Sequence, residues 1–192
     1  MSIHRLNHAV LYVRDAERSA DFYSRVLGFK RLPLPFPGAV FMQAEGSSND
    51  HDLGLFSIGE EASDSPAGRQ AVGLYHLAWE VDTLADLAEI GARLSEEGAL
   101  VGATDHGTTK AVYGKDPDGL EFEIAWLVPA DMLTDDIEMT SRRLDLAKET
   151  GLASQQLTWM TLGVVLFIGT LVVLPDHRLL ARFTYTSGLA AI

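Results

Sequence analysis

The chain has no cysteine. That excludes disulfides, thiolate-ligated metals and cysteine nucleophiles, and it suits a reducing cytoplasm. Basic residues are scarce: 15 Lys and Arg against 27 Asp and Glu leave a net charge of -12. Affinity for a phosphate backbone rests on clustered cations, so nucleic acid is disfavoured as a partner. The first residues, Met1 to His8, contain no apolar signal core. Charge is also missing from Thr150 to Pro175, and residues 157–174 form an uncharged run of 18. What is present is ample apolar material, 47% of 192 residues, enough for one ordinary domain plus an extension.

The domain reads as two related halves. His8 lies in Leu6-Asn7-His8-Ala9-Val10-Leu11-Tyr12-Val13, and His76 lies 68 residues later in Leu74-Tyr75-His76-Leu77-Ala78-Trp79-Glu80-Val81. A helix start follows each run. Asp15 can cap the first helix, with Phe22, Tyr23, Val26 and Leu27 at helical spacing and Gly28 at its end. Thr83 can cap the second, with Asp86 three residues on, Leu84, Leu87, Ile90 and Leu94 on one side, and Gly98 closing it. Strand-like runs come next: Ala39–Ala44 and Leu53–Ile58 in the first half, Ala111–Tyr113 and Leu120–Trp126 in the second. The modules span about residues 4–60 and 74–128 of a domain covering 1–130. Residues 59–73 are the linker, where Gly, Ser, Pro and charge resist regular structure.

A C-terminal helix is expected over 131–151, with Thr134 as cap, Asp135 and Asp136 in the first turn and Lys148 near the end. The tail, 152–192, holds the run 157–174, which just reaches membrane-spanning length. Two readings stay open for it: a membrane anchor on an otherwise cytoplasmic protein, or an apolar segment packed on protein.

Alternation decides which side chains share a face. His8, Val10 and Tyr12 oppose Ala9, Leu11 and Val13; Glu121, Glu123 and Ala125 oppose Phe122, Ile124 and Trp126. His8, His76 and Glu123 therefore all lie opposite the more apolar, helix-facing side. Two imidazoles and a carboxylate make a facial metal site with open positions, suited to non-haem Fe(II) and oxygen. The competing reading is three ordinary polar residues on a solvated sheet face.

These strings resemble the vicinal oxygen chelate superfamily of glyoxalases, bleomycin and fosfomycin resistance proteins and extradiol dioxygenases. The resemblance covers about residues 4–128. It rests on Asn7-His8-Ala9-Val10, on Phe22-Tyr23-Ser24-Arg25-Val26-Leu27-Gly28-Phe29, on Leu74-Tyr75-His76, and on Asp116-Pro117-Asp118-Gly119 leading to Glu123. It implies an α+β fold of two paired βαβββ modules whose mixed sheet curls around one metal, Fe(II) or Mn(II), held by His8, His76 and Glu123.

Within the superfamily the chain is most similar to small two-module catechol 2,3-dioxygenase-like proteins. Subtracting the repeat offset from Glu123 gives Leu55 where a glyoxalase-type fourth ligand would stand, and leucine cannot coordinate. The resemblance gives His51 the acid–base role, and gives Tyr113 and His106 hydrogen bonds to substrate oxygens. His4 and His177 read as surface residues. The implied activity is extradiol cleavage of an aromatic diol with O2, by a homodimer. The alternatives are a metal-dependent transferase or lyase of the same fold, a metal-free drug-binding protein, and a membrane-tethered adaptor.

Overall fold

The structure, a computed structural model, describes residues 2–68, 70–134 and 138–151. It divides into two compact units, Met1–Asp145 and Leu146–Ile192. The first carries the expected pair of βαβββ modules. Module 1 comprises β1 (Ala9–Val13), α1 (Ala16–Leu27), β2 (Lys30–Arg31), β3 (Ala39–Gln43) and β4 (Leu53–Ser57), with sheet order β1-β4-β3-β2. Module 2 comprises β5 (Leu77–Glu80), α2 (Leu84–Glu96), β6 (Leu100–Asp105), β7 (Thr109–Lys115) and β8 (Glu121–Leu127). Its sheet runs β5-β8-β7-β6, with β9 (Arg142–Arg143) added outside β6. In each module the first strand lies parallel to the last, and the remaining pairs are antiparallel.

The helices start and stop where local chemistry says they should. Asp15 accepts hydrogen bonds from the Glu17 and Arg18 amides, and Gly28 closes α1 at φ 75°, a left-handed turn that glycine adopts without a Cβ clash. Thr83 Oγ1 accepts from the Asp86 amide at 3.1 Å at the start of α2. Each helix lies on its own sheet, with Val26 buried from α1 and Leu87, Ile90 and Leu94 from α2; Phe22 and Tyr23 of α1 are also buried and meet the rings of Phe122 and Trp79 in module 2.

A buried hydrogen-bonded clasp joins the modules. Tyr23 Oη donates to Asp116 Oδ2 at 3.2 Å, and both residues are at most 5% exposed. Asp116 Oδ1 accepts the Asp118 and Leu120 amides at 2.9 Å each, which shapes the Asp-Pro-Asp-Gly turn leading into β8. Asp118 then accepts the Arg14 amide at 2.8 Å and the Arg18 guanidinium at 2.6 Å. Around this polar centre the rings of Tyr23, Phe29, Trp79 and Phe122 pack mostly edge-on, with centroids 5.5–6.3 Å apart.

Two expectations for the C-terminal part need correction. The domain runs to Asp145 rather than ending near 130, and residues 131–151 are not one helix. A 3-10 turn at Ala130–Met132 comes first, then β9, and only Leu146–Glu149 is helical (α3). The reason is that this segment extends the sheet. Thr140 Oγ1 donates to Asp105 O at 3.0 Å, the Leu144 amide donates to Ala103 O at 3.1 Å, and the Leu144 side chain is buried. Among the described residues no helix is long and apolar enough to cross a membrane. The run 157–174 and His177 lie outside the described residues.

Burial raises the Asp116 carboxyl above its ordinary value, against the lowering effect of the two amides and Tyr23. The folded chain thus holds this proton more tightly than the unfolded one. The group's contribution to stability is greatest in acid and declines as pH rises from the ordinary aspartate range through the raised value. Asp116→Asn should flatten that part of the pH–stability curve. Asp116→Ala should cost about 2–4 kcal/mol at neutral pH, because it strands two buried amides and a phenol. Urea denaturation across pH 3–8 measures both; an unchanged curve for the alanine variant would remove the clasp from the fold's energetics.

Candidate metal centre

Sheet pairing corrects the repeat register. Val10 stands opposite Gly54 across β1–β4, whereas Ala78 stands opposite Glu123 across β5–β8. Val10 and Ala78 each lie two residues past their histidine, so the module 1 counterpart of Glu123 is Gly54, not Leu55. Leu55 is fully buried on the helix-facing side. Glycine has no side chain to coordinate. A Cβ at Gly54 would meet Val10 Cγ2 at 3.4 Å and Phe41 Cε1 at 3.5 Å.

The expected face assignments hold. Leu11 and Val13 are buried, whereas Val10 and Tyr12 are 50% and 72% exposed. Phe122 and Ile124 are buried beside a partly exposed Glu123.

The site residues gather in two groups. In module 2, His76 Nε2 lies 3.0 Å from Glu123 Oε2, with both side chains mostly covered. Tyr113 stands directly opposite Glu123 across β7–β8. His106, in the β6–β7 turn, places Nε2 at 3.1 Å from Tyr113 Oη and Nδ1 at 3.1 Å from Thr140 O. A carbonyl only accepts, so in a neutral His106 the proton sits on Nδ1 and Tyr113 donates to Nε2. Desolvation, with Glu123 adding repulsion, raises the Tyr113 phenol above its ordinary value. Tyr113 is therefore a neutral donor across the physiological range. The His76 ring also touches Tyr75, with centroids 4.6 Å apart, while its Nδ1 is buried without a hydrogen-bond partner among the described residues.

In module 1, the His8 and His51 rings lie 4.4 Å apart, and Phe41 packs edge-on to His51 at 5.2 Å. His51 Nδ1 faces Asp50 Oδ2 at 3.3 Å. Thus His76, Glu123, Tyr113 and His106 come together, and His8 and His51 come together. Among the described residues of one chain, no three His, Asp or Glu side chains are grouped to hold a cation.

The donor chemistry nonetheless fits a cation. Two ligands at about 2.1 Å from one ion and at right angles lie about 3.0 Å apart, the spacing of His76 Nε2 and Glu123 Oε2. Sequence reasoning missed Thr140, which orients His106, and Phe41 and Tyr75, which confine the imidazoles. Tyr75 was legible as the neighbour of His76. Thr140 and Phe41 become visible only through pairing.

The Glyoxalase/Bleomycin resistance protein/Dioxygenase superfamily model matches residues 5–124, and the chain belongs to that superfamily. A catechol-2,3-dioxygenase of Bacillus subtilis (strain 168) is 33% identical over 126 residues, 64% of this chain; the match spans 42% of the dioxygenase's length. A lactoylglutathione lyase of Neisseria meningitidis (strain DSM 15465 / Z2491) is also 33% identical, over 62% of this chain and 88% of the lyase. The crystal structure of a glyoxylase/bleomycin resistance protein/dioxygenase domain from Frankia sp. EAN1pec superposes with a TM-score of 0.57 at 20% identity, covering 67% of this chain and 96% of that one. That likeness shows the fold.

The raised Tyr113 phenol is directly measurable. In a spectrophotometric alkaline titration, Tyr113→Phe should leave the tyrosines that ionise in the ordinary range unchanged and remove amplitude only above it. Loss of amplitude within the ordinary range would contradict the neutral-donor assignment.

Proposed function

We propose that this protein is an extradiol ring-cleaving dioxygenase acting on an aromatic vicinal diol. Its metal, Fe(II) with Mn(II) as the other suitable ion, would be held by His8, His76 and Glu123. The observation that carries the reading is the His76–Glu123 pair beside the Tyr113–His106 pair, with Gly54 at the fourth-ligand position. Three protein ligands leave room for both diol oxygens and O2. When bound, the ion supplies Lewis acidity to the diol and a redox centre for oxygen.

The chain's own side chains do the rest. The Tyr113 hydroxyl bonds a substrate oxygen, and His106, its tautomer fixed by Thr140 O, holds that hydroxyl in place. His51, with Nδ1 turned to Asp50, keeps Nε2 available as the acid–base group. Phe41 and Tyr75 confine the imidazoles and help exclude water. The ring carbon–carbon bond beside the diol breaks, and both oxygen atoms enter the product.

A second copy of the chain completes the site in this reading. His8 and the His76–Glu123 pair belong to separate groups in one chain. Among the described residues the outer edges of β1 and β5, the strands that follow the two histidines, pair with no other strand. Val10, Tyr12, Leu74 and Tyr75 beside them are at least 50% exposed. A homodimer facing module 1 of one copy against module 2 of the other would cover these groups and unite the ligands.

The lyase reading has equal sequence identity behind it, but Gly54 supplies no fourth ligand. A phosphonate-binding transferase needs free cations near the site, and Lys110 is held by Asp105 at 3.1 Å. A metal-free binding protein has no use for the His76–Glu123 pairing.

Anaerobically purified, Fe(II)-loaded protein mixed with aerated catechols should give the yellow product of ring cleavage; no colour across a catechol panel sinks the reading. His8→Ala and Glu123→Gln chains should each lose activity. Unfolded and refolded together, they should recover about a quarter of wild-type activity, because half of the dimers are mixed and each mixed dimer keeps one intact site. No recovery would mean that each site lies within one chain.

A further inference from the structure

We propose that Asn49, in the β3–β4 hairpin, is a positioning residue that sets the tautomer of His8 and so readies its Nε2 for the metal. The inference rests on the assignment of His8 as a ligand, not on the identity of the substrate.

One chain of hydrogen bonds, whose ends cannot reverse, links Asp52 to His8. At one end stands Asp52, whose carboxylate accepts the Ala44 amide at 2.8 Å and Ser47 Oγ at 2.7 Å. Asn49 Nδ2 donates to Asp52 Oδ1 at 2.6 Å and to Asn7 O at 2.7 Å. Both partners only accept, so the Asn49 amide nitrogen must face them. Its Oδ1 therefore faces the other way, where it accepts Arg5 Nη2 at 2.5 Å and Asn7 Nδ2 at 3.3 Å. A guanidinium only donates, which confirms the orientation from the opposite side.

Asn7 inherits that order. Its Nδ2 is committed to Asn49, so its Oδ1 is the atom that meets His8 Nδ1 at 2.8 Å. An amide oxygen carries no proton, so His8 carries one on Nδ1. Its Nε2 then bears a bare lone pair, the form a cation requires, and has no hydrogen-bond partner among the described residues. Partners of this kind on the non-ligating nitrogen orient metal-binding imidazoles and tune their affinity. Among the described residues His76 has no such support, since its Nδ1 is buried without a partner. The first histidine is thus preset and the second is not.

The same loop ties this order to the sheet. The Ala9 amide donates to Asp52 O at 2.9 Å and the Asp52 amide to Met42 O at 2.9 Å, so the hairpin and the start of β1 move as one.

The test uses the full-length, metal-free protein and Co(II) alone as probe. Nitrogen-15 NMR of the imidazoles should show His8 as the Nδ1–H tautomer in wild type. In Asn49→Ala the acceptor that holds Asn7 Nδ2 is lost and Asn7 is free to turn over; the Nε2–H form should rise and Co(II) affinity should fall about 10–100-fold. Asn7→Ala, which leaves the Asn49–Asp52 bond in place, should give a similar loss with an unchanged melting temperature. Asn7→Asp keeps an acceptor on His8 Nδ1 and should retain both the tautomer and the affinity. If Asn49→Ala and Asn7→Ala leave the His8 tautomer and Co(II) affinity at wild-type values, the proposal is overturned. None of these readouts uses a catechol, so failure of the ring-cleavage assay leaves this test intact, and the reverse holds too.

Discussion

The Tyr23–Asp116 hydrogen bond is the interaction on which the rest of the domain depends. Here, a buried polar group of the first helix meets a buried carboxylate of the second module. Desolvating that carboxylate is costly unless its lone pairs are filled. The Asp118 and Leu120 amides fill them, and in doing so they fold the turn that launches β8. Glu123 sits on β8, and β7, paired with it, carries Tyr113. The clasp therefore positions two site residues that it never touches. Asp118, held by Arg14 and Arg18, locks the same turn from its outer side.

The two halves of the site differ in how they are held. His76 is held at Nε2, by Glu123, and its Nδ1 has no partner among the described residues. His8 is fixed from its far side, by asparagines that trace back to Asp52 and Arg5. The other candidate site residues follow the same division, His51 beside His8 and the Tyr113–His106 pair beside Glu123. Chemistry at such a site needs both halves, and that need links function to the pairing of modules.

Much of this was legible in the chain. Asp15 and Gly28 bound α1 because capping is local, and the strand–helix–strand repeat follows from periodicities that neighbouring residues set. The face carrying His8 and Glu123 follows from alternation alone. Register was not legible. The last-strand position that pairs with the residue two past each histidine comes 46 residues after His8 but 47 after His76, so a fixed offset landed on Leu55 instead of Gly54. Strand β9 was hidden too. Arg142 and Arg143 are both exposed, as suits an edge strand, so no apolar alternation marks them, while acidic residues ahead and Lys148 behind imitate a helix. The Asn7–Asn49 contact joins residues far apart in sequence, and only folding brings them together.

The central claim is that His8, His76 and Glu123 converge on one ion although one chain keeps them in two groups. Anomalous diffraction at the iron edge, on crystals grown and loaded with Fe(II) under anaerobic conditions, tests it most directly. The account predicts a single iron peak per chain, bonded to His76 Nε2, a Glu123 oxygen and a His8 Nε2, with no fourth side chain from the Gly54 position. Iron bound without His8, or a fourth protein ligand closing the position meant for oxygen, would contradict it.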